Sequence, residues 1–157
     1  MYRNVLVPLD GSELAECSLT HAKAIVKGCN VAELIVLRVI EPLSAQTISA
    51  MAEAGDALLR EVECENKKDA EDYISKMEND LKKEGFAVRG VTKKGRAADA
   101  IMDYVQAQNV ELIVMSTHGR SGISRFYFGS VAEKVSRHSP VPVLLVSPSG
   151  CRMEPER

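Results

Sequence analysis

The chain has 157 residues, 45% of them hydrophobic and 27% charged, which suffices for one well-buried core and is too short for two ordinary domains. Its 20 basic and 22 acidic residues leave a formal charge of -2, without the cationic excess of a protein that grips nucleic acid or an anionic membrane. No apolar run approaches the roughly 20 residues of a membrane span, and the short run after Tyr2-Arg3-Asn4 that ends at Pro8 has no signal-peptide core. A cytoplasmic protein is expected.

Val5-Leu6-Val7 opens the chain as a short apolar run suited to a strand covered on both faces. Ser12 then precedes Glu13 and Glu16, and Ala15, Leu19, Ala22 and Ile25 or Val26 recur at helical spacing up to Gly28. Cap, acidic first turn, apolar stripe and glycine stop predict helix 1. Leu34 to Leu37 reads as strand 2, Glu41 to Ser49 as a polar connection, and Ala50 to Glu84 as one long helix 2 closed by Gly85. Ala87 to Thr92 is a weaker strand, Ala98 to Val105 marks helix 3, Leu112 to Met115 a further strand, Val131 to His138 helix 4, and Val143 to Val146 the last strand.

This alternation predicts an α/β fold: a single doubly wound, five-stranded parallel sheet in strand order 3-2-1-4-5 with helices on both faces. Residues 1–147 form the domain and 148–157 a C-terminal tail. Cys17, Cys29, Cys64 and Cys151 lie far apart without Cys-x-x-Cys spacing, so ordinary reduced thiols and no metal site are expected.

In such a sheet the ligand crevice lies beyond the carboxyl ends of the strands. Two loops there hold suitable residues: Pro8-Leu9-Asp10-Gly11-Ser12, and Ser116-Thr117-His118-Gly119 leading on to Gly129-Ser130 at a helix start. Helix-start amides, permissive glycines and the Ser130 hydroxyl suit a phosphate, although a Gly-Ser pair is also an ordinary way to end a loop. Neither G-x-x-x-x-G-K-[ST] nor G-x-G-x-x-G after the first strand occurs, which disfavours Walker-type NTPases and Rossmann dehydrogenases.

The stretch Val5-Leu6-Val7-Pro8-Leu9-Asp10-Gly11-Ser12-Glu13, the pattern Ser116-Thr117-His118-Gly119, nine residues, Gly129-Ser130-Val131, and Pro140-Val141-Pro142-Val143-Leu144-Leu145-Val146 together resemble the universal stress protein family. The resemblance is to its ATP-binding branch, with Ser116 where that branch has glycine. It implies that Pro8, Leu9, Asp10 and Val39 line the adenine and ribose side, and that Met115, Ser116, His118, Gly119, Gly129, Ser130 and Val131 line the phosphate side. Asp10 would meet a ribose hydroxyl, an adenine amine or, indirectly, Mg²⁺. The resemblance also implies a homodimer through Val143 to Val146.

The function expected is ATP binding, with Mg²⁺, as a nucleotide-dependent switch in a stress response; no catalytic or metal-ligating residue is assigned. Slow ATP hydrolysis using Asp10 with His118 or Ser130, and a dimeric scaffold without nucleotide, are the alternatives. Arg120 and Arg125 suit either a γ-phosphate clamp or a solubilising surface, and Phe126-Tyr127-Phe128 either a loop anchor or a partner surface.

Overall fold

A computed structural model describes residues 2–52, 55–118 and 129–147. Its elements are β1 (Asn4–Pro8), α1 (Glu13–Cys29), β2 (Glu33–Ile40), α2 (Ala45–Met51), α3 (Asp56–Lys83), β3 (Val88–Lys94), α4 (Ala97–Ala107), β4 (Leu112–Ser116), α5 (Ser130–His138) and β5 (Val143–Val146). The strands form one sheet in the order β3-β2-β1-β4-β5, and every neighbouring pair is parallel. Fold class and strand order agree with expectation.

Continuous apolar strands lie where both sheet faces are covered, because successive side chains point to opposite faces. Val5, Val7, Leu34, Val36, Leu112 and Val114 pack with Ala15, Leu19 and Ala22 of α1 and Ile74 and Leu81 of α3. On the other face Leu6, Ile35, Leu37, Ile113 and Met115 pack with Ile101 and Val105 of α4 and Ala132 and Val135 of α5. β1 is central, and Val5, Leu6 and Val7 are wholly buried.

Local signals set most helix ends. The Ser12 hydroxyl accepts the Ala15 amide at 3.1 Å to cap α1. Past the end of α3, Gly85 at φ 90° donates to Lys82 O and Phe86 donates to Leu81 O, a Schellman ending whose partners Phe86 and Leu81 are both buried.

Three expectations change. Helix α1 runs through Gly28 to Cys29 and stops at Asn30, which adopts the left-handed conformation at φ 52°, a conformation that asparagine tolerates. The segment Ala50 to Glu84 is not one helix: α2 begins inside the expected polar connection, capped by Ser44, and ends at Met51. Helix α3 begins after Gly55, whose φ of 91° lies outside helical geometry. Finally, Cys29 and Cys64 are free thiols but Cys17 is disulfide-bonded, because spacing along a chain does not report which thiols meet in space.

Candidate functional site

The carboxyl ends of β1, β2 and β4 open into a crevice of about 710 Å³. After β1 the Leu9 amide still pairs with Leu37 O at 2.8 Å, and Gly11 at φ 84° turns the chain. Asp10 Oδ1 accepts both the Ser12 amide at 2.9 Å and the Ser12 hydroxyl at 2.6 Å, so the turn places this carboxylate at the crevice and beside the start of α1.

β4 is buried along its length and delivers Ser116 and Thr117 to the same rim. The Thr117 amide donates to Val146 O at 2.9 Å. Thr117 Oγ1 lies 2.8 Å from His118 Nδ1, and the His118 amide donates to Ser116 Oγ at 3.3 Å. The Gly129 amide returns to Thr117 O at 2.7 Å, which sets the start of α5 against the end of β4.

Pro8, Leu9, Asp10, Val39, Met115, Ser116, His118, Gly129, Ser130 and Val131 all line this crevice. Gly119, like Arg120, Arg125 and Phe126 to Phe128, lies outside the described residues. The fold also brings in residues for which no local pattern spoke: Arg38 and Glu41 at the end of β2, Asn66 and Asp69 from the middle of α3, and Ala97 at the start of α4.

Three helices start at the crevice, and their ends are not equivalent. At α1 the Ser12 side chain takes an amide and Asp10 holds Ser12. At α4 Glu41 Oε1 accepts the Ala97 amide at 3.0 Å. Among the described residues, α5 alone of the three has no side-chain cap: its N-cap is Gly129, which has no side chain to offer. The unpaired amides and positive dipole end of such a terminus attract an anion.

His118 follows β4, Asp10 lies in the turn after β1, and Arg38, Glu41 and Asp69 line the crevice on the side of β2 and α3. Beneath this end Tyr73 donates from its hydroxyl to Glu16 Oε1 at 2.8 Å, and Arg38 lies over the Tyr73 ring at 5.0 Å. Burial, with the Glu16 hydrogen bond, pushes the Tyr73 phenol well above its usual range. Among the described residues no cluster of three or more His, Cys, Asp or Glu is arranged to hold a metal, and no helix is long and apolar enough to cross a membrane.

The model of the Universal stress protein family matches residues 1–147. The chain is 35% identical over 156 residues to universal stress protein MJ0577 of Methanocaldococcus jannaschii, covering 93% of this chain and 95% of that one. The structure of universal stress protein UspA from Lactobacillus plantarum superposes with a TM-score of 0.78 at 25% identity, covering 92% and 97% of the two chains. More distant structures of the same fold include a universal stress protein in complex with cAMP, at 23% identity and TM-score 0.57 over 92% and 97% of the chains. Another, a family protein from Arabidopsis thaliana with AMP bound, is at 15% and 0.62 over 92% and 91%. With one parallel sheet in the order β3-β2-β1-β4-β5 and a family match from residue 1 to residue 147, this chain belongs to the universal stress protein family.

Proposed function

We propose that the crevice binds ATP with Mg²⁺ and that the chain acts in the cytoplasm as a nucleotide-dependent switch in a stress response. One observation carries the phosphate end of this reading: of the three helix N-termini at the crevice, α5 is the one without a side-chain cap among the described residues. Phosphate there would meet the amides of the first turn and the Ser130 hydroxyl, while Asp10, which lines the same crevice, would meet a ribose hydroxyl, an adenine amine or, indirectly, Mg²⁺. The bound nucleotides of the AMP and cAMP complexes above support the choice of ligand class.

Thr117 Oγ1 lies 2.8 Å from His118 Nδ1, and within this proposal the role is binding rather than hydrolysis. Mg²⁺ would neutralise phosphate charge; Asp10 and the α5 start are the groups on hand to orient it and the phosphates. The homodimer belongs to the same proposal: β5 is a sheet edge with Leu144 39% exposed, and pairing edge to edge would cover it.

Titration calorimetry with Mg-ATP tests the reading. Binding by the parent and its loss in Gly129→Val, which crowds the approach to the α5 amides, is the expected result. No heat from the parent at millimolar Mg-ATP would overturn it.

A further inference from the structure

Cys17, in the second turn of α1, is half-buried and packs against the core cluster on the α1–α3 side of the sheet, which also holds Val146, the last residue of β5. Its thiol is disulfide-bonded. The chain has four cysteines, and Cys29 at the end of α1 and Cys64 on α3 are free thiols. Within one chain the bond needs a second cysteine, so elimination leaves Cys151, which follows Val146 by five positions and lies outside the described residues.

Reach and direction agree with that pairing. Val146 is 4% exposed and packs with Ala15 and Leu19 of α1, so β5 delivers the chain to the seam beside α1. Five residues extend to at most about 17 Å, enough to return to a side chain of the same cluster.

We infer that Cys17 and Cys151 form a reversible disulfide that staples the chain beyond β5 to α1, a redox-sensitive fastening of the edge strand. β5 is only four residues long, and its Val146 carbonyl holds the Thr117 amide at the crevice rim at 2.9 Å. A disulfide that joins positions so far apart in sequence removes freedom chiefly from the unfolded chain, and more so the longer the loop it closes. In a compartment rich in thiols such a bond is transient and follows the redox poise, and the partial exposure of Cys17 leaves its sulfur open to attack. The bond forms by two exchanges with a small-molecule disulfide such as oxidised glutathione. One cysteine thiolate attacks the glutathione disulfide, giving a mixed disulfide and releasing one glutathione thiolate; the second cysteine thiolate then displaces the other glutathione. The two electrons lost by the protein thiols reside on the two released glutathiones, which take up the two protons. Reduction runs the same steps in reverse.

The test equilibrates the full chain with oxidised or with reduced glutathione, alkylates the free thiols and maps the peptides by mass spectrometry, with thermal unfolding followed on the same samples. A peptide linking Cys17 to Cys151, with Cys29 and Cys64 in no cross-link, is expected from the oxidised sample, and four separate cysteines from the reduced one. Reduction is expected to lower the Tm of the parent by about 5–15 °C and to leave Cys17→Ser and Cys151→Ser unchanged, both melting near the reduced parent. Cys151 alkylated in the oxidised sample, or Cys17 joined to a second copy of the chain, would overturn the pairing. A parent Tm indifferent to reduction would overturn the staple, and a link that survives excess reduced glutathione would overturn its redox sensitivity.

Discussion

The Gly129 amide donates to the Thr117 carbonyl at 2.7 Å, and the Thr117 amide in turn donates to the Val146 carbonyl at 2.9 Å. One residue at the end of β4 thus ties the start of α5 to the edge strand β5. Gly129 has φ -59°, a value proline adopts without strain. Gly129→Pro therefore deletes the donor while keeping the residue's own φ. The expected cost is about 1 kcal/mol, seen as a fall in Tm of roughly 2–4 °C for a domain of this size; an unchanged thermal midpoint would show that the bond contributes nothing.

Gly90 on β3 touches α3 directly. A Cβ at this position would lie 2.6 Å from Ile74 Cγ2 and 2.7 Å from Glu78 Oε2. Glu78 can swing aside, but Ile74 is 4% exposed and has little room to move. Gly90→Ala is expected to destabilise by about 1–3 kcal/mol through overpacking, measured by urea unfolding. Paired with Ile74→Val, which removes a methyl from the crowded side chain, it should recover part of the loss.

Ile113 is the second residue of β4, wholly buried and packed on the α4–α5 side of the sheet. Ile113→Ala leaves a cavity that neighbouring β-strands cannot collapse to fill. A loss of about 2–5 kcal/mol is expected, with the urea midpoint lowered at unchanged slope.

Lys134 on α5 bonds to Asp99 on α4 at 2.6 Å, and that hydrogen bond chiefly holds the Asp99 carboxyl below its usual range. A lowered folded-state pKa adds stability above the unfolded value and loses it as pH falls through the folded one. Asp99→Asn is therefore expected to differ from the parent by a small amount near neutral pH, and the difference should shrink as the medium is acidified below pH 4. High salt should shrink it as well, since both side chains are near half exposed.

Leu144 on the β5 edge provides the test of the dimer. Leu144→Glu puts a charge on the β5 edge of each copy, and charged edges resist edge-to-edge pairing. The expected outcome is a dimer for the parent and a monomer for the variant by sedimentation, with circular dichroism unchanged. A monomeric parent would remove the proposed dimer.

The alternation of strands and helices, the Ser12 cap and the Gly85 stop were all legible along the chain, because they depend on periodicity and on groups within four or five residues of one another. From these the parallel sheet follows, and with it the crevice at the strand ends. Only the tertiary structure decided which polar groups share that crevice. Glu41 reaches Ala97 across 56 positions, and Tyr73 reaches Glu16 across 57; neither partner is marked by a local pattern. The long apolar stripe from Ala50 to Glu84 hid a break at Gly55, since helical spacing on both sides of an interruption looks the same as one uninterrupted helix. The bonded state of Cys17 was likewise not carried by the spacing of the cysteines, since no spacing rule says which thiols meet.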